Sequence, residues 1–138
     1  MNSPASVPNG WRPRILILED DNGVRRSLQL LLQGRGFDVK AYASARALLA
    51  DPAAVSAACL VTDYRLADSD GTSVLESLRA GGWDQPAILM TAFGSEEIIA
   101  RAKAAGFDEV FEKPLRDLAL VTMLERLTAK PARLSANR

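Results

Sequence analysis

The sequence predicts an α/β fold, a single doubly wound domain of five βα units around a parallel five-stranded sheet. Four short apolar runs each stop on polar groups: Ile15-Leu16-Ile17-Leu18 on Glu19-Asp20-Asp21, Ala58-Cys59-Leu60-Val61 on Thr62-Asp63, Ala87-Ile88-Leu89-Met90 on Thr91-Ala92, and Val110-Phe111 on Glu112-Lys113-Pro114. Runs this short, bounded by polar or turn residues, suit strands covered on both faces. Between them lie stretches of helical period closed by glycine. A length of 138 residues fits one domain and leaves little room for a second.

The elements follow in order. Residues 1–13 hold three prolines among small and polar neighbours and read as a flexible lead-in. Residues 14–18 make the first strand. Val24, Leu28, Leu31 and Leu32 then recur at helical spacing, so a helix runs to about Arg35, stopped by Gly34 and Gly36. Phe37, Val39 and Ala41 alternate with Asp38 and Lys40, a strand with one more polar face and hence an edge position. Ser44 can cap a short helix over residues 45–50, which Asp51-Pro52 ends.

The central strand, residues 58–62, is followed by a polar loop, Leu66 to Gly71, and a helix over 72–80 that Gly81-Gly82 closes. A strand at 86–90 leads to a helix from Ser95, whose hydroxyl, with Glu96 and Glu97 behind it, suits a helix N-terminus. Gly106 closes that helix, residues 109–111 form the last strand, and a helix over about 115–128 ends the domain. On that helix Leu120, Leu124, Leu127 and Met123 form a broad apolar sector extended by Val121 and Leu118, wider than one sheet face can cover. The surplus reads as a partner or dimer surface. The domain thus spans 14–128, and 129–138 is a tail or the start of a linker.

Composition narrows the chemistry. Seventeen basic and seventeen acidic side chains cancel, so nucleic-acid phosphates have no strong electrostatic reason to bind this segment. A single cysteine excludes an internal disulfide framework, and Cys59 inside an apolar strand reads as a small buried hydrophobe. No stretch is long and apolar enough to cross a bilayer and no signal peptide is evident, so the expected location is cytoplasmic, without membrane contact. The absence of histidine removes imidazole bases, histidine metal ligands and a phosphohistidine within the chain.

Right-handed crossovers and the strand order 2-1-3-4-5 place the strand ending at Asp63 in the middle of the sheet. Glu19, Asp20, Asp63, Thr91 and Lys113 then converge at its carboxyl edge. Three carboxylates at close quarters repel one another and call for a hard divalent cation such as Mg²⁺. Asp20 and Asp63 are the direct ligands expected, with the main-chain carbonyl of Arg65, while Glu19 acts through water. Asp63 can attack an electrophilic phosphorus, with Lys113 offsetting charge and the Thr91 hydroxyl donating to a phosphoryl oxygen.

This pattern resembles the receiver domain of bacterial two-component response regulators, a flavodoxin-like fold, over about residues 14–127. The motifs that carry the resemblance are Ile15-Leu16-Ile17-Leu18-Glu19-Asp20-Asp21, Val61-Thr62-Asp63-Tyr64, Asp70-Gly71, Met90-Thr91-Ala92 and Lys113-Pro114-Leu115. The resemblance implies that Asp63 accepts the phosphoryl group, Glu19 and Asp20 bind Mg²⁺, Thr91 is the switch hydroxyl and Lys113 the family's lysine. It also implies a histidine kinase or phosphotransfer protein as donor, and dimers or targets on the face of helix 4, strand 5 and helix 5.

Three positions depart from the family pattern. Val110 stands where Tyr or Phe is usual, Glu19 where Asp is, and Ala67 where Pro is. Phe111 should point to the opposite face of the sheet and so cannot replace the aromatic. Arg65 and Phe93 are expected to flank the approach to the phosphoryl group and slow its hydrolysis. Two other readings stand beside the switch: a phosphorylation-independent binding scaffold, suggested by Val110, and a Mg²⁺-dependent aspartyl phosphatase, which would need an acid where Arg65 stands. The tail suits either a stand-alone receiver or one that begins a longer transcription regulator.

Overall fold

A computed structural model describes residues 12–129. The expected lead-in over 1–13 and the tail over 129–138 lie outside the described residues except at their inner ends. The strands are β1 (Arg14–Leu18), β2 (Asp38–Tyr42), β3 (Cys59–Asp63), β4 (Ala87–Thr91) and β5 (Glu109–Glu112). The helices are α1 (Asn22–Gly34), α2 (Ala45–Ala50), α3 (Gly71–Ala80), α4 (Glu96–Ala105) and α5 (Asp117–Leu127). All strand pairs are parallel and their order is β2-β1-β3-β4-β5. The expected order is therefore the observed one, and β2 is an edge strand as its alternation indicated.

Period two sorts the strand side chains onto two cores. Leu16, Leu18, Leu60 and Leu89 pack with Leu48, Leu75, Leu78 and Phe107 on the side of α2, α3 and α4. Their neighbours Ile15, Ile17, Val61, Ile88 and Met90 pack with Leu28, Leu32, Leu120 and Leu124 on the side of α1 and α5. Every residue of β3 and β4 is buried. Each such Leu or Ile withdraws enough apolar surface to be worth roughly 1.5–3 kcal/mol, and this is what makes short strands stable without a free face.

Helix starts are set by capping side chains. Asp21 accepts from the Val24 N–H at 2.9 Å, Ser44 from Ala47 at 3.1 Å, Asp70 from Ser73 at 2.9 Å and Ser95 from Ile98 at 3.2 Å. Only α5 lacks such a cap, at Arg116, and it begins two residues later than its apolar pattern suggests. A 3₁₀ helix at Pro52–Ser56 was not legible in the pattern, because its five residues carry no periodicity of their own.

The apolar sector of α5 is used more fully than expected. Leu120, Val121 and Leu124 are buried, and Met123 and Leu127 pack against the same core. The exposed remainder is Leu118, at 66%. The core it joins includes Val61 of β3, Ile88 and Met90 of β4 and the half-buried Phe111 of β5.

Near the β2 edge, Asp51 accepts hydrogen bonds from the Tyr42 hydroxyl at 2.7 Å and the Ala53 N–H at 2.9 Å, and pairs with Lys40 at 2.9 Å. The Tyr42 bond, then Lys40 and the Ala53 N–H, hold its carboxyl well below the usual range. A carboxyl depressed by folding stabilises fully above its unfolded value and loses that contribution as pH falls through it toward the folded value. The advantage of the parent over Asp51→Asn in urea unfolding is therefore expected to be constant at neutral pH and to shrink below about pH 4. An advantage unchanged at the acid end would show that the ionised form is not what matters.

Candidate functional site

Parallel register brings four strand ends level. Leu18 pairs with Thr62, Asp63 with Met90 and Thr91 with Glu112, so Asp63 and Thr91 end their strands while Glu19 and Lys113 stand one residue past theirs. The Glu19 N–H still donates to the Tyr42 carbonyl at 3.1 Å, and that of Lys113 to the Thr91 carbonyl at 2.8 Å. Both side chains therefore leave from backbone that the sheet fixes.

Lys113 joins the two carboxylates. Its Nζ lies 2.7 Å from Glu19 Oε1 and 2.9 Å from Asp63 Oδ2. Glu19 is 1% exposed, and its other oxygen, Oε2, accepts from the Asp21 N–H at 3.0 Å. Burial pushes the Glu19 carboxyl up, and the bonds from Lys113 and Asp21 only partly offset this. For Lys113 burial favours the neutral amine, but the hydrogen bonds to Glu19 and Asp63 outweigh it and hold the ammonium above its usual value. The lysine therefore carries a full positive charge beside Asp63.

Carboxylate oxygens of Glu19, Asp20 and Asp63 lie within 4.8 Å of one another, graded from buried Asp63 and Glu19 to exposed Asp20. Hard anionic oxygens at this spacing, open to solvent on one side, match what Mg²⁺ takes from a protein, one or two carboxylates with waters retained. Lys113 uses only Oδ2 of Asp63, so the other oxygen remains for a metal or an electrophile. Arg65 is exposed and pairs with Asp70 as an isolated bridge, which closes the loop beside Asp63.

Thr91 is brought to the same edge, buried, but its hydroxyl faces its own loop. Oγ1 donates to the Phe93 carbonyl and accepts from the Phe93 N–H, both at 3.1 Å. Phe93 itself is 70% exposed. Val110 packs on the α4 side and Phe111 on the α5 side, so the alternation expected of them holds.

Three contacts were not read from the sequence pattern. Gly71 packs its Cα against the Asp63 carbonyl. Asp68 crosses to α2 and accepts from the Ala45 and Arg46 N–H groups at 3.1 and 3.0 Å. Arg25 donates to the Glu19 carbonyl at 2.9 Å and to Asn22 Oδ1 at 2.6 Å. An Asp-Gly pair after a strand hinted at the first; the other two depend on which helices the topology makes neighbours.

The chain has relatives among known proteins. The chain is 36% identical over 110 residues to the transcriptional regulatory protein FixJ of Rhizobium meliloti (strain 1021), covering 80% of this chain and 54% of that protein. It is 33% identical over 103 residues to the response regulator protein TmoT of Ectopseudomonas mendocina, covering 75% and 47%. The chain spans about half the length of the curated relatives it matches. The crystal structure of FixJ-N superposes with a TM-score of 0.77 at 31% identity, over 87% of this chain and 96% of that one. The response regulator receiver domain family matches residues 15–125, the span that carries every strand end described above, and the chain belongs to that family.

Proposed function

We propose that this domain is a phosphorylation-activated switch that takes a phosphoryl group on Asp63 from a histidine kinase or phosphotransfer protein. The observation that carries the reading is Lys113 Nζ bridging Glu19 and Asp63 at 2.7 and 2.9 Å beside a third carboxylate, Asp20. Glu19, Asp20, Asp63 and the Arg65 carbonyl are the groups that would hold Mg²⁺, which when bound neutralises charge on the phosphoryl oxygens. An Asp63 oxygen attacks phosphorus and the donor's P–N bond breaks, its electron pair returning to the imidazole, which takes a proton from solvent. Lys113 stabilises the charge spread over the equatorial oxygens.

The new group adds about two negative charges at the sheet edge. The Thr91 hydroxyl exchanges its Phe93 partners for a phosphoryl oxygen and draws the 92–95 loop and α4 with it. That shift biases two nearly balanced arrangements of the α4, β5 and α5 face, through which a second copy or a target binds. Val110 favours a relay through Thr91 alone, with no aromatic swing from β5. FixJ is named as a transcriptional regulatory protein and is about twice as long as the matched span, which favours a role for this domain as the receiver of a longer regulator. A scaffold that ignores phosphate is the second reading, and Val110 is what favours it; an aspartyl phosphatase is disfavoured by Arg65, which cannot protonate a leaving group.

The test is incubation with acetyl phosphate. Label should enter only with a divalent metal and map to Asp63, and Thr91→Ala should take up label like the parent but fail to change its oligomeric state or target binding. No labelling with a divalent metal present would favour the scaffold.

A further inference from the structure

The acidic segment is tied to α1 more closely than its charges require. Asp21 caps the helix through the Val24 N–H, and its own N–H donates to Glu19 Oε2. Arg25, one turn into α1, reaches back with both terminal guanidinium nitrogens, Nη1 to the Glu19 carbonyl at 2.9 Å and Nη2 to Asn22 Oδ1 at 2.6 Å. Its backbone N–H donates to the Asp21 carbonyl at 2.9 Å. The Glu19 carbonyl belongs to the peptide that joins Glu19 to Asp20. Among the described residues no side-chain hydrogen bond holds Asp20 itself, so the direction of its carboxylate is set by that peptide.

We propose that Arg25 is a positioning residue for the acidic cluster, fixing the Glu19–Asp20 peptide and thereby the divalent-cation affinity of the site. The proposal rests on the reading of Glu19, Asp20 and Asp63 as metal-holding groups. Two effects of Arg25 oppose each other. As a positive charge one peptide away it disfavours a bound cation, whereas as a two-point clamp it keeps the Asp20 carboxylate aimed at Asp63 without loss of orientation on binding. A planar fork that satisfies two acceptors at once loses less freedom than an ammonium would, and its second arm is anchored on Asn22 at the start of α1. Positioning therefore outweighs repulsion, and removing Arg25 weakens binding even though it removes a positive charge. The sign of the change separates the two effects.

The experiment measures Mn²⁺ binding to the unphosphorylated chain by calorimetry or by loss of the free-ion electron paramagnetic resonance signal. Arg25→Ala is expected to weaken binding about tenfold, the lower end of what outer contacts of metal ligands are worth. Arg25→Lys, with one donor point in place of two, should fall between it and the parent, and Arg26→Ala, the same charge lost from the next position, should bind as the parent does. Asn22→Ala, which frees the far side of the clamp, should weaken binding by a smaller factor and keeps the test alive if Arg25→Ala unfolds. Parent-like or tighter binding by Arg25→Ala overturns the positioning role and leaves the metal site standing. No Mn²⁺ bound by the parent overturns the metal site, and the role of Arg25 with it.

Discussion

Replacing Asp63 with asparagine is expected to reduce phosphate incorporation from acetyl phosphate to background while leaving the domain folded. The side chain keeps its shape, but an amide oxygen carries no charge to attack phosphorus and its ester-like product would be an unstable imidate. The fold should survive because the change is isosteric at a site 9% exposed. Lys113 keeps Glu19 at 2.7 Å and can still donate to the amide oxygen. Removing one of three crowded carboxylates also relieves repulsion with Glu19 and Asp20, so the thermal midpoint should stay within a few degrees of the parent or rise. Phosphate-affinity electrophoresis and circular dichroism on the same samples check both halves. Undiminished labelling of the variant would move the acceptor to another side chain.

Gly71→Ala is expected to destabilise the domain by about 3 kcal/mol, the upper part of the range for forced overpacking, and to lower Tm by roughly 10 °C. A Cβ at Gly71 would lie 2.6 Å from the Asp63 carbonyl oxygen, 2.8 Å from Leu89 Cδ1 and 3.1 Å from Thr62 Cγ2. The first of these is backbone of a fully buried strand and cannot step aside. Relief requires the start of α3 to withdraw, which stretches the bond from the Gly71 N–H to the Tyr64 carbonyl, now 2.8 Å. Alanine gains up to about 1 kcal/mol over glycine inside a helix, less than the clash costs. Gly34→Ala is the control: it closes α1 with nothing within 4 Å of the added atom and should be neutral or mildly stabilising. Thermal melts of both variants decide the point, and equal midpoints would show that α3 is free to shift.

Gly71 also ties the fold to the site, since the carbonyl it packs against belongs to Asp63. Displacing α3 would turn the Asp63 backbone and with it the carboxylate that Lys113 holds at 2.9 Å.

What could be read from the chain alone was whatever depends on near neighbours in sequence. Alternation along residues 15–18, 59–62 and 87–90 sorts side chains to two faces whatever the partner strands are, and Ser44 and Ser95 act on backbone groups three residues away. Because strand ends in a parallel sheet fall on one edge, the polar residues closing each apolar run identified Glu19, Asp20, Asp63, Thr91 and Lys113 as companions.

Only the tertiary structure decided contacts that join distant segments. Trp83 buries its ring and donates from Nε1 to the Ala57 carbonyl at 3.0 Å, and Asp68 caps a helix 23 residues earlier. The extent to which α5 hides its apolar sector belongs here as well. Periodicity reports which way a side chain points, whereas its partner is set by how helices of particular length and cap settle on the sheet, and that distance is written in no single stretch of sequence.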